Sequence, residues 1–373
     1  MARFRDLELL STLVQSLSDQ GIRQPTEIQT NTIPPQLAGR SVLGIAETGS
    51  GKTLAYVLPL LHRLKTLELD GSAVSEPGQP RGLVLVPGRE LGEQVSKVFK
   101  SLTHGTRLRV RVALGGMARK VARRNVSGAF EILVATPGRL TQLLDGEDLS
   151  LSDLRTVVLD EADQMVDPGF LPVAQRVLQE SPRGVQVATF SATLPGPLEH
   201  VLSELFAEPP LKVKTAGAQR LVETLERVRI DVINGRREEA LLEVLSRGRR
   251  IGTILFVNTR EQLERVTEWL AAEGLPHVQY SGEMNRLERR ANLAAFRDGA
   301  VWLLLTTDLG SRGLDIDRVD RVINVHMPGR VDSYLHRVGR TARAGRAGQV
   351  VDIVTQRDHT LLAKLKRKGV LPG

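Results

Sequence analysis

Residues 46–53 read Ala46-Glu47-Thr48-Gly49-Ser50-Gly51-Lys52-Thr53, set between an apolar run, Ser41–Ala46, and an apolar helical stretch, Leu54–Leu64. A glycine-rich turn ending in Lys-Thr, entered from a strand and leaving into a helix, is a P-loop. Gly49 and Gly51 let backbone N–H groups curl around phosphate oxygens, aided by the partial positive charge of the helix N-terminus. Lys52 brings a cation to the β- and γ-phosphates, and Thr53 brings a hydroxyl for Mg2+. The segment from Ala46 to Thr53 is therefore expected to hold a nucleoside triphosphate.

Outward from this loop, short β-branched runs recur, each followed by a stretch of helical character. In the first half they are Ser41–Ala46, Gly82–Val86, Arg109–Leu114, Glu131–Ala135, Thr156–Asp160 and Gln186–Ser191. In the second they are Arg229–Ile233, Thr253–Val257, Val301–Thr306, Arg321–Val325 and Val350–Val354. Continuous apolar strands alternating with helices imply α/β architecture, with parallel sheets covered by helices on both faces. Paired prolines and small residues around 208–220 mark a linker between two such domains.

The composition agrees. The 373 residues are 41% hydrophobic and 25% charged, which excludes bulk disorder, and the absence of cysteine excludes disulfides, thiolate metal sites and a cysteine nucleophile. No leader-like segment and no apolar stretch of about 20 residues is visible, so a soluble cytoplasmic protein without membrane contact is expected. The net charge is +8, and residues from Gly217 onward hold 27 Lys and Arg against 20 Asp and Glu. An Arg-rich basic half points to phosphate-bearing partners.

A triphosphate site on a parallel sheet needs an acidic strand end. Thr156-Val-Val-Leu-Asp160-Glu161 supplies one. Asp160 is the candidate Mg2+ ligand together with Thr53, and Glu161 the group that orients and deprotonates the attacking water.

With Asp160-Glu161-Ala162-Asp163 in place, the chain resembles a DEAD-box RNA helicase of helicase superfamily 2 over essentially its whole length. The resemblance implies two tandem RecA-like P-loop domains. They would comprise a Q-motif region over 1–30, a first domain over 31–207, a linker over 208–220 and a second domain over 221–373. Gly21-Ile22-Arg-Gln24-Pro-Thr-Glu-Ile-Gln29 is similar to the adenine-recognising Q motif, which implies nucleotide contacts from Ile22, Gln24 and Gln29. Ile22 stands where the family commonly has an aromatic residue. Ser191-Ala-Thr193 matches the triplet that, with Asp163 and His336, couples the nucleotide site to the second domain.

The RNA-facing elements align as well. Pro87-Gly88-Arg89, Gly115-Gly116 and Thr136-Pro137-Gly138-Arg139 match motifs of the first domain, with Gly88 in place of a hydroxyl residue. In the second, Phe256-Val-Asn-Thr-Arg260, Gly282 with Arg289, and Thr306-Thr-Asp308 match in turn. Arg286 and Val325-His326-Met327-Pro328 depart from the usual family residues. Gly313 and Asp315 are implied nucleotide contacts. Within His336-Arg-Val-Gly-Arg340-Thr-Ala-Arg343, Arg340 and Arg343 are implied arginine fingers.

The expectation is an RNA-stimulated ATPase that uses ATP and Mg2+ and locally unwinds short RNA duplexes or remodels RNA–protein complexes. It would act as a monomer, with protein partners supplying the target. An ATP-gated RNA clamp and a DNA-directed translocase share the fold. The complete set of carboxylates and arginines disfavours the first, and the Asp-Glu-Ala-Asp box with Gln29 disfavours the second.

Overall fold

The computed structural model describes residues 2–47, 49–74, 76–166, 170–194, 205–215, 225–233, 236–247, 250–282, 284–308, 319–342, 347–367 and 370–371. The chain divides into two compact units, Met1–Ala218 and Gln219–Gly373.

The first unit is a seven-stranded sheet with β1 (Val42–Ile45), β2 (Gly82–Leu85), β3 (Val110–Ala113), β4 (Ile132–Ala135), β5 (Thr156–Leu159), β6 (Gln186–Ser191) and β7 (Leu211–Lys214). Its order is β3-β4-β2-β5-β6-β1-β7. Every recorded pairing is parallel. Two apolar clusters cover its faces: Val84, Val134 and Val158 belong to one, and Leu83, Leu133 and Val157 to the other. This is the period-two division of a strand buried on both sides. Tyr56 and Phe190 meet in the first cluster with ring centroids 5.4 Å apart.

The second unit is a six-stranded sheet with β8 (Leu225–Asp231), β9 (Thr253–Val257), β10 (His277–Tyr280), β11 (Leu303–Thr307), β12 (Arg321–Asn324) and β13 (Gly348–Val354). Its order is β10-β11-β9-β12-β13-β8, again parallel throughout. Ile254, Phe256, Val322 and Val350 pack on one face, and Leu255, Val257, Ile323 and Val351 on the other.

Three segments depart from the sequence expectation, all at sheet edges. Leu211–Lys214 lies inside the expected 208–220 linker, yet it pairs with β1 and extends the first sheet. Residues 216–220 of that linker lie outside the described residues. His277–Tyr280 carries no continuous apolar run and pairs only with β11. The strand expected at Arg229–Ile233 spans Leu225–Asp231, where exposed and half-buried residues mix. Edge strands are solvated on one side, so the apolar signal that marks a central strand is diluted in them.

Local chemistry sets the helix starts that matter below. The helix Lys52–Leu69 begins two residues earlier than its apolar run, because Gly51 at φ +87° forms its N-cap. Thr26 and Gln29 form a capping box at the helix Glu27–Leu37, as do Thr259 and Gln262 at the helix Arg260–Ala272. Thr136 caps the helix Pro137–Asp145, whose proline occupies the first turn.

Candidate functional site

The carboxyl ends of parallel strands are where α/β sheets bind ligands. In the first unit that edge carries two neighbourhoods. The P-loop follows β1, Asp160-Glu161 follows β5, and the Ser191-Ala-Thr193 triplet closes β6. These three strands are adjacent in the sheet. Pro87–Arg89 follows β2, Gly115-Gly116 follows β3 and Thr136–Arg139 follows β4, and these three are adjacent on the other side of β5.

In the nucleotide half, Gly49 and Gly51 both lie at positive φ, 85° and 87°. Gly51 is also sterically closed, because a Cβ there would run into the Gln29 amide. Gln29 is 2% exposed. Its Nε2 donates to the Gly51 carbonyl at 2.9 Å and its Oε1 accepts from the Thr26 N–H at 2.9 Å. A primary amide has two donors and two acceptor sites, so these two bonds leave one of each unused. Ile22 is half-buried and packs on the core, and Gln24 is exposed.

Lys52 Nζ donates to the Ala46 carbonyl at 2.6 Å and the Glu47 carbonyl at 3.1 Å. Burial pushes the Lys52 ammonium down from its ordinary value, opposed by attraction from Asp160, Asp163, Glu161 and Glu47. Burial likewise raises the Glu47 carboxyl, against Lys52. Ser50 Oγ donates to the Glu47 carbonyl at 2.7 Å.

Asp160 is 3% exposed. Its Oδ2 accepts from the Tyr56 hydroxyl at 2.7 Å and its Oδ1 from the Glu161 N–H at 2.9 Å. Burial, followed by the Glu161 charge, pushes the Asp160 carboxyl up to about 6, against the Tyr56 hydrogen bond and the Lys52 charge. Glu161 holds a left-handed backbone, φ 52°, uncommon for a side chain with a Cβ. Gln164 Nε2 donates to its Oε2. Backbone strain of this kind concentrates at functional positions.

Asp163 Oδ2 accepts from the N–H groups of Ala192 and Thr193 at 3.2 and 3.1 Å and from the Thr193 hydroxyl at 3.3 Å. Ser191 Oγ accepts from the Asp163 N–H at 3.1 Å and donates to the Thr193 carbonyl at 2.6 Å. The expected coupling residues of the first unit therefore form one bonded cluster.

In the other half the expected RNA-facing residues are also bonded to one another. Arg89 Nη1 donates to the Gly115 carbonyl at 3.1 Å, and the Gly115 N–H donates to Thr136 Oγ1 at 2.9 Å. Arg139 Nη2 donates to the Met117 carbonyl. Pro87 and Pro137 are half-buried, and Gly116 and Gly138 are exposed. Thr136, at 7% exposed, thus positions the glycine turn.

The second unit brings Arg260, Gly282 and Thr306 to the carboxyl ends of the adjacent strands β9, β10 and β11, with Arg289 on the following helix, Arg286–Arg297. Arg260 is exposed and its Nε donates to Glu264 at 2.8 Å. Gly282 is exposed and Arg289 half-buried. Thr306 is fully buried, and its hydroxyl donates to the Tyr280 carbonyl at 2.7 Å, tying β10 to β11. Arg340 is 6% exposed and His336 half-buried. Thr48, Gly313, Asp315 and Arg343 lie outside the described residues.

Two residues that matter were missed by sequence reasoning. Tyr56 lies one helical turn beyond Lys52. The signal was a phenol inside an apolar helix, since a buried Tyr hydroxyl needs a partner. Arg337 is 1% exposed and lies 5.0 Å from the Phe256 ring centroid. It donates to both carboxylate oxygens of Asp308, to Asn324 Oδ1 at 3.1 Å, to the His326 carbonyl at 2.7 Å and to Asn258 Oδ1 at 2.7 Å. One guanidinium thereby joins three motif segments separated in sequence. A further buried group, Asp352, accepts from Tyr334 and Asn324 at 2.7 Å each.

Among the described residues no helix is long and apolar enough to cross a membrane, and no cluster of three His, Cys, Asp or Glu could hold a metal.

Comparison with known proteins agrees with this geometry. The DEAD/DEAH box helicase family model matches residues 26–201, and the helicase conserved C-terminal domain matches residues 236–345. The chain is 37% identical over 366 residues to the ATP-dependent RNA helicase SrmB of Escherichia coli, covering 98% of this chain and 81% of that protein. It is 36% identical to the ATP-dependent RNA helicase DeaD of Mycobacterium tuberculosis, of whose length it spans 63%. A solved structure of S. cerevisiae Dbp5 bound to RNA and ADP BeF3 superposes with a TM-score of 0.85 at 25% identity, covering 98% of this chain and 93% of Dbp5. Two tandem RecA-like units, a strand-end P-loop on the same sheet edge as a buried Asp160 and its neighbour Glu161, and these matches together mean that the chain belongs to the DEAD-box ATP-dependent RNA helicase family.

Proposed function

We propose that the chain hydrolyses ATP on binding RNA and uses the cycle to unwind or remodel short RNA duplexes or RNA–protein complexes. The observation that carries this reading is the division of one sheet edge in the first unit. Triphosphate chemistry follows β1, β5 and β6, while a bonded set of Arg, Thr and Gly loops follows β2, β3 and β4.

In the ATPase reaction, Lys52 exchanges the Ala46 and Glu47 carbonyls for phosphate oxygens, and the Gly49–Gly51 backbone cradles them. Glu161, held by Gln164, orients the attacking water and takes its proton. Thr53 and Asp160 fit Mg2+: a buried carboxyl raised to about 6 gains from a nearby dication, and a hydroxyl follows the P-loop lysine. The ion, when bound, neutralises charge on the phosphates. Arg340, with Arg343, supplies guanidinium charge to the transferring phosphoryl group, so groups from both units are required. The Asp163, Ser191 and Thr193 cluster, together with His336, links the state of the nucleotide to the second unit.

On the RNA side, Arg89, Arg139, Arg260, Arg289 and the glycine turns suit sugar and phosphate contacts, which carry little sequence preference. Contacts to 2′-hydroxyls favour RNA over DNA. The chain is proposed to work as a cytoplasmic monomer, with protein partners supplying the target.

The test is steady-state ATP hydrolysis without nucleic acid, with single-stranded RNA, and with the matching DNA. RNA alone should stimulate turnover, and Glu161→Gln should lower it by about 10²–10⁴-fold. Turnover indifferent to RNA would refute the proposal.

A further inference from the structure

Charge in the first unit is strongly segregated. Residues 1–218 hold 24 Lys and Arg against 23 Asp and Glu, nearly neutral overall. Yet residues 107–130 hold seven Lys and Arg and no Asp or Glu, leaving 17 against 23 in the remainder. This basic stretch is β3, the glycine turn and the helix Arg119–Val126.

The fold gathers these charges on one side. Arg119, Lys120, Arg123 and Arg124 occupy i, i+1, i+4 and i+5 of the helix and are all exposed, on an arc of about 140° beside the stripe on which Ala122 and Val126 are buried. Arg111 is exposed on β3, the edge strand. Arg109 is paired with Glu131, and Arg123 with Asp148 at 2.7 Å. Arg107, Arg111, Arg119, Lys120 and Arg124 are exposed and have no carboxylate within ion-pair distance among the described residues. A charged edge strand alone can serve to deter strand pairing. The helix cations lie off that hydrogen-bonding row, so this role does not account for them.

The patch is continuous with the RNA-facing loops. Gly115-Gly116 sits between β3 and the helix, Asn125 Nδ2 donates to the Val112 carbonyl at 2.9 Å, and Arg139 donates to the Met117 carbonyl. We infer that this basic face is a second RNA-backbone site, which holds the RNA flanking the strand bound at the motif loops. The inference rests on the RNA-helicase reading above and extends it to a surface outside the motifs. Exposed guanidinium and ammonium groups without carboxylate partners suit phosphates, and they read no sequence.

The test uses the full chain and direct binding of two RNAs by fluorescence anisotropy. One is the shortest single strand that binds measurably, and the other is the same strand extended at each end. The variant is Arg111→Gln, Arg119→Gln, Lys120→Gln and Arg124→Gln combined. A charge-matched control replaces the exposed cations Arg40, Lys97, Lys100 and Arg183 of the same unit with Gln.

The wild type and the control should bind the extended RNA more tightly than the short one, and the variant should lose that gain. For the variant on the extended RNA, the slope of log K against log salt should become shallower by about 0.7 per phosphate contact removed, about 2 to 3 in all. Turnover at saturating RNA should stay within about twofold in the variant, with only the RNA concentration needed for half-stimulation rising. Equal losses in variant and control would overturn the inference, since net charge alone would then explain them. So would wild-type binding by the variant, which would leave the face for an acidic protein surface. If RNA binds but fails to stimulate hydrolysis, the function above falls while the binding comparison still decides this site.

Discussion

Replacing Asp160 by asparagine should stabilise the nucleotide-free first unit at neutral pH while abolishing hydrolysis. Asp160 is 3% exposed, and burial with the adjacent Glu161 charge moves its carboxyl from 3.8 to about 6. Below pH 3.8 the residue is protonated in both folded and unfolded chains, and no penalty arises. Between 3.8 and about 6 the unfolded chain gives up its proton first, so the folded state binds more protons and stability falls as pH rises. Above about 6 the full penalty stands, about 3 kcal/mol for a shift of about two units. Asparagine keeps an oxygen for the Glu161 N–H, and its amide can donate to the Tyr56 hydroxyl, which also accepts. Lys52 loses one of the four carboxylates that attract it, so about 3 kcal/mol is a ceiling. At about 2–4 °C per kcal/mol for a unit of this size, the variant should melt up to about 6–12 °C higher at pH 7 and nearly level with wild type at pH 4. Thermal unfolding of both proteins by circular dichroism, at steps between pH 4 and 7, measures the difference directly. A difference that stays flat across that window, or a variant less stable at pH 7, would refute the assignment of a raised carboxyl at this site.

Three further outcomes follow from the geometry. Tyr56→Phe removes the hydrogen bond that holds the Asp160 carboxyl down, so the acid limb of the ATPase pH profile should move to higher pH; an unmoved limb would detach Asp160 from the titration. Gly51→Ala places a Cβ against the Gln29 amide at a positive φ, a strain of about 1–3 kcal/mol. ADP affinity by calorimetry should fall about tenfold or more, and an unchanged affinity would remove Gly51 from the phosphate cradle. Arg337→Ala leaves Asp308 without its bidentate partner and Asn258 without its donor, and should cost the second unit about 3–5 kcal/mol in urea unfolding. A loss below about 0.5 kcal/mol would mean that this guanidinium is not a structural centre.

Part of this protein is legible in the residues alone. The P-loop could be read because its chemistry is local: eight consecutive residues between a strand and a helix suffice to make a phosphate cradle. The central strands were equally plain, because burial on both faces forces an unbroken apolar run. Edge strands β7, β8 and β10 were misplaced or missed because one side of each is solvated. Tertiary structure decided what spacing cannot express. The order β3-β4-β2-β5-β6-β1 sorts six loops, scattered over some hundred and fifty residues of chain, into two neighbourhoods of one edge. It also turned Gln29, Thr136 and Thr306 into internal fasteners and gave Arg337 acceptors from as far as 79 residues away. Hydrogen bonds of that reach depend on where parallel crossovers bring distant strand ends together, and no local pattern of residues encodes which pairs will meet.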